Sequence, residues 1–129
     1  MIEEGLVQLI TSDPRFQQIA ADRLYPLLLP DETNDPSATY QVISTVALYT
    51  NDGSTGFITS RIQFDAWSQV YAECKTIAAA IRAALEDFTG MLSEGTRVLN
   101  IMLDNSTDLY EGNARLYRVT ADFKVQYLE

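Results

Sequence analysis

The chain has no histidine, a single cysteine and only two lysines, Lys75 and Lys124, among its 129 residues. Lack of histidine removes the usual general base, the serine–histidine and cysteine–histidine pairings, and the commonest zinc ligand together. A lone cysteine excludes an internal disulfide, and Cys74 falls on a core-facing helical position, where a thiol is a small hydrophobe. The longest apolar stretches, Leu27 to Leu29 and Ile77 to Ile81, are far shorter than the roughly 18–20 residues that span a bilayer. Basic residues are scarce: 18 acidic against 9 basic side chains leave a net charge of −9, which opposes general attraction to nucleic-acid phosphates. The opening Met1-Ile2-Glu3-Glu4 is acidic where an export signal is basic, so manufacture in a cytoplasm is the expectation.

With 47% hydrophobic and 21% charged residues, the composition is that of a globular domain, and the length suits one core spanning 1–129. Ile2, Leu6, Leu9 and Ile10 recur at helical spacing, and Asp13-Pro14 caps a second short helix carrying Phe16, Ile19 and Ala20. Leu24-Tyr25 before Pro26 reads as extended, and Pro30 to Pro36, through Asp31, Glu32, Thr33, Asn34 and Asp35, as an exposed loop. Tyr40–Tyr49 and Phe57–Trp67 are strand-like runs joined by the turn-forming Asn51 to Gly56, and Ile58, Ile62, Phe64 and Ala66 mark the buried face. Ser68 is the expected cap of a long helix, Gln69–Phe88, with Val70, Cys74, Ile77, Ile81, Leu85 and Phe88 inward and Gly90 as its stop. Leu99, Ile101 and Leu103 give a third strand, Asn105 to Asn113 a polar connection, and Ala114–Tyr127 a long last strand. The expected fold is α+β: an antiparallel sheet of about four strands, a long helix packed on one face, and a short N-terminal helix pair.

Candidate chemistry is sparse. Asp65, Asp104 and Asp122 could share the polar face of one sheet, the arrangement a carboxylate-only hydrolase needs, but solvated strands carry such residues routinely. Asp104, Ser106, Asp108 and Glu111 resemble a calcium loop only loosely, because Leu109 stands where glycine is required and no acid closes the loop; they read as a turn. Gly53 to Gly56 lacks the lysine ending of a phosphate loop. No catalytic residue, metal or cofactor is expected. Interfaces favour aromatic side chains, so Tyr49, Phe57 and Tyr110, beside loops, are the candidate contact residues, together with Asn51 and Asp52 at the hairpin tip.

The stretch RIQFDAWSQVYAECKTIAAAIRAAL, Arg61 to Leu85, resembles the strand-to-helix signature of bacteriophage tail-completion, or tail-terminator, proteins. The strand ends in Asp65-Ala66-Trp67, Tyr71 and Glu73 follow in the first helical turns, and Ile81, Arg82 and Leu85 close an alanine-rich helix. Arg23-Leu24-Tyr25-Pro26, Tyr40 to Ser44, Tyr110-Glu111 and Asp122 to Tyr127 fall in the same order as in that family. The resemblance implies a non-enzymatic structural protein of the virion, assembled in a host bacterial cytoplasm. It implies a ring, typically a hexamer, at the head-proximal end of the tail tube, where it ends tube growth and joins the tail to the head connector. Implied partners are further copies of the chain, the tail tube protein and the connector or neck protein. It further implies that DNA passes through the lumen without specific binding, through walls expected to be neutral or acidic. Trp67 and Tyr71 read as fold determinants.

Two other readings stay open on the residues alone. One is a head-side connector or minor tail protein of similar build; the other is a small cytoplasmic binding module, which would be monomeric with an enclosed apolar pocket.

Overall fold

Helical spacing and strand alternation meet on one hydrophobic core in the computed structural model, which describes residues 1–30 and 35–129. The element order is α1 (Ile2–Thr11), α2 (Pro14–Ala20), β1 (Leu24–Pro26), β2 (Ser37–Thr50), β3 (Gly53–Ser68), α3 (Tyr71–Leu85), β4 (Gly90–Met91), β5 (Arg97–Glu111) and β6 (Leu116–Leu128). Most of the expected Pro30–Pro36 loop, Asp31 to Asn34, lies outside the described residues.

The sheet corrects the expectation of about four antiparallel strands. It is a curled, mixed sheet of six strands in the order β1-β2-β3-β6-β5-β4, with three helices among the described residues. The two strands missed are short. β1 pairs in parallel with β2 through Leu24↔Ala38 to Pro26↔Tyr40, and β4 contributes only Gly90 and Met91 against Val98 and Arg97. A two- or three-residue strand has too few side chains to display a period.

The central strands behave as their alternation dictates. Val119, Ala121, Phe123, Val125 and Tyr127 of β6 and Ile58, Ile62, Phe64 and Ala66 of β3 are buried in one cluster with Cys74, Ile77, Ile81 and Leu85 of α3. Phe64 and Phe123 meet edge to face, their centroids 5.9 Å apart. α1 and α2 complete this layer: Leu6, Ile10 and Phe16 are fully enclosed, and a Cβ added at Gly5 would come within 2.7 Å of Leu92.

α3 is shorter than its periodicity suggests. Val70 is extended and half exposed rather than inward, and the helix begins at Tyr71. Ser68 serves the start from two residues before the cap, Val70, accepting from the Val70 N–H at 3.0 Å and donating to Glu73 Oε1 at 2.8 Å. The helix stops at Leu85, not near Gly90, because Asp87 turns to φ +64° and gives its N–H to the Ile101 carbonyl of β5.

β5 is the largest difference in length. The polar stretch expected as a connection continues as strand to Glu111, paired with β6 as far as Glu111↔Leu116. Backbone pairing to a long, strongly alternating partner outweighs the loop-like side chains of Asn105 to Asp108. The β2–β3 hairpin is correspondingly tight, with Asn51 and Asp52 alone between Thr50 and Gly53.

Candidate interaction surfaces

The five candidate contact residues do not form one site. Tyr49, Asn51 and Asp52 cluster at the β2–β3 tip, all exposed, with Phe57 just below, half-buried against Leu128 of β6. Tyr110 is at the other end of the sheet, beside the β5–β6 hairpin. Along β3, Phe57 pairs with Leu128 and Ser68 with Tyr117, so eleven residue steps separate the two ends, roughly 36 Å at about 3.3 Å per residue.

Tyr110 belongs to an ordered group that sequence reasoning noted only in part. Its ring meets Tyr117 at 5.0 Å between centroids, and Tyr117 meets Tyr71 at 5.4 Å. The Tyr71 hydroxyl donates to Asp108, and the Lys75 ammonium lies 3.2 Å from both oxygens of the same carboxylate. These two hydrogen bonds hold Asp108 below the usual carboxylate range, and the acceptor raises the Tyr71 phenol. Tyr71 thus ties α3 to β5 as well as packing. The spacing of Tyr71 and Lys75, one helical turn apart, was the available signal; Asp108 was hidden by reading it as a turn.

On the opposite face of the sheet Arg118 lies between carboxylates. Its Nη2 donates to Asp65 at 2.8 Å and its Nη1 to Glu111 at 3.1 Å, while its guanidinium stacks 5.0 Å from the Trp67 ring. The Trp67 N–H donates to Thr39 at 3.0 Å, fixing the indole, and Gln63 donates to Asp65. Burial pushes Asp65 up, against the pull of Arg118 and Gln63. Asp104 is drawn instead to Arg61, and Asp122 Oδ1 is buried without a hydrogen-bond partner among the described residues. Of the three carboxylates weighed for hydrolysis, two are therefore committed to arginines. The loosely calcium-like set, Asp104, Ser106, Asp108 and Glu111, is spread along β5 as strand rather than folded as the expected turn.

The third surface is the sheet's margins. β1 covers β2 only as far as Tyr40, leaving Gln41–Thr50 without a further strand among the described residues; on the far side β4 covers β5 at Arg97 and Val98 and the Asp87 N–H reaches the Ile101 carbonyl, leaving Met102–Glu111 of β5 equally bare. Ile43 and Leu48, the residues skipped by register shifts in β2, are 45% and 54% exposed, and Val46 and Tyr49 are 64% and 68% exposed. A groove between α3 and β5, lined by Lys75, Ala78, Ala79, Arg82 and Leu103, is open to solvent rather than enclosed. Among the described residues no helix is long and apolar enough to cross a membrane.

Comparison with known proteins matches these features to a family. No curated protein matches the sequence. Among solved structures, a chain from the virion of a native gene transfer agent particle shares the fold at a TM-score of 0.80 and 14% identity, over 96% of this chain and 92% of its own. The family model described as tail completion protein gp17 matches residues 4–128, nearly the whole length. The chain belongs to the tail completion protein gp17 family, structural proteins of the bacteriophage tail, and its place is in the virion.

Proposed function

We propose that the protein forms a ring, of six copies, at the head-proximal end of the tail tube, where it ends tube growth and joins the tail to the head connector without catalysing a reaction. The observation that carries this reading is the placement of exposed aromatic tips at opposite ends of one rigid sheet, Tyr49 at one and Tyr110 at the other. A protein that bridges two assemblies needs two unlike docking ends, and interfaces favour aromatic side chains at their centres. The β2–β3 tip, with Tyr49, Asn51, Asp52 and the flanking Phe57, is assigned to one of the two partners, tube protein or connector, and the Tyr110 end to the other.

Passage of DNA is served by keeping positive charge occupied. Arg15, Arg61, Lys75, Arg82 and Arg118 each hold a carboxylate of the same chain, so these cations are neutralised before any phosphate arrives.

The test is reconstitution. Heads and tails from a lysate of a phage lacking this gene are mixed with the purified protein, and infectious titre is counted. Recovery of titre in proportion to added protein is the expected result. A titre that stays at background, with heads and tails each able to join partners from a normal lysate, would overturn the joining role.

A further inference from the structure

We propose that copies of the chain join edge to edge, the bare stretch of β2 in one copy pairing antiparallel with the bare stretch of β5 in the next. This rests on the ring reading above and specifies its contact.

A strand edge presents unpaired backbone donors and acceptors, so the group that covers it is another extended chain. Natural proteins guard such edges with charge, and β5 is guarded in that way: Asp104, Asp108 and Glu111 lie along Met102–Glu111. β2 is not. From Ser37 to Thr50 it has no charged residue and no proline, in a chain that is 21% charged, and it exposes Ile43, Val46, Leu48 and Tyr49. An uncharged, apolar edge ten residues long would promote indiscriminate pairing unless a partner covers it.

Charge disfavours pairing between two β5 edges. Two β5 edges placed together would oppose three carboxylates with three more, whereas a β5 edge against β2 meets no like charge. Asp104, Asp108 and Glu111 are moreover drawn to Arg61, Lys75 and Arg118 of their own copy, which lowers the cost of covering them. Direction also fits. Three successive antiparallel pairings, β2 with β3, β3 with β6 and β6 with β5, make β2 and β5 antiparallel within one sheet. Copies related by rotation about an axis tilted from the strands, as in a barrel, therefore meet antiparallel, the more stable pairing.

The contact is heterologous, one edge of each kind per copy, and so can close into a ring. Each bare stretch is ten residues long, β2's toward the β2–β3 tip and β5's toward the β5–β6 hairpin. Full pairing shifts each copy along its strands relative to the last, which is the stagger a closed sheet requires.

The test uses the purified full chain, alone and bound to tail tubes from a lysate deficient in this gene. The double variant Val46→Lys/Leu48→Lys changes only exposed side chains; it is expected to melt with the parent yet to lose ring incorporation about tenfold or more, as charge on an edge blocks pairing. In parallel, Val46→Cys/Thr107→Cys treated with a bis-maleimide is expected to link copies into a ladder, while Val46→Cys alone yields none; native Cys74 is buried and does not interfere. Dimers from Val46→Cys alone would overturn the proposal in favour of β2–β2 pairing. Rings formed equally well by the lysine variant and giving no ladder would overturn it while leaving the ring reading intact; a parent chain that forms no ring even on tubes would remove both.

Discussion

Arg118 holds more of the structure's electrostatic balance than any other side chain, contacting Asp65, Glu111 and the Trp67 ring at once. The sign of its effect follows from Asp65, whose carboxyl is pushed up by burial. A carboxyl raised in the folded state binds its proton more tightly there, so its contribution favours folding at acid pH and is lost as pH rises through the raised value. Arg118→Met leaves Asp65 buried without its counter-charge and should cost about 3 kcal/mol at neutral pH. The loss should shrink as pH falls through the raised Asp65 value and the carboxyl takes up a proton; urea unfolding at pH 7 and pH 5 measures both. Asp65→Asn should cost less, because it removes the charge that burial penalises. Cys74 gives a second residue-scale test: burial raises its thiol to about 11, and its S–H donates to the Ala66 carbonyl at 3.1 Å. Its reaction with a thiol reagent should proceed at the rate of global unfolding, so fast labelling of the folded protein would contradict that burial. The burial of Cys74 was legible from helical spacing alone. The pairing of Asp65 with Arg118 was not, because alternation places both on the polar face without saying that the face is covered there.

At the scale of elements, α1 is seated by the absence of a side chain. Gly5→Ala brings a methyl within 2.7 Å of Leu92 Cδ1 and 2.8 Å of its Cβ, a clash that lifts the helix from the turn after β4. The expected cost is about 1–3 kcal/mol by thermal or urea unfolding, against a slight gain if the site were open, since alanine favours helix. Elements with long, clean periods were readable: α1, α2, β6 and the buried run of α3 stand where the spacing of Leu6, Phe16, Phe123 and Ile77 puts them. The misreadings share a cause. Asn105 to Glu111 and Gly90 are strand because a partner strand supplies hydrogen bonds, and partnership leaves no trace in the local period. The same holds for the contact residues. Tyr49 and Tyr110 were found as aromatics near turns, but that they mark opposite ends of the sheet follows only from register.

Over the whole molecule, a curled sheet with helices on one face ends in two unlike edges and two unlike tips. Such a body has four distinct directions in which to make contacts, enough for a left neighbour, a right neighbour, a partner above and a partner below. The proposed ring uses all four, and the net charge of −9 opposes general attraction to DNA phosphates. The measurement that tests this most directly is to place a stop codon early in the gene of the source phage or prophage, induce lysis, and image the lysate by negative-stain electron microscopy. The account predicts filled heads accumulating apart from tails that are unjoined or overlong; intact, infectious virions in normal number would contradict it.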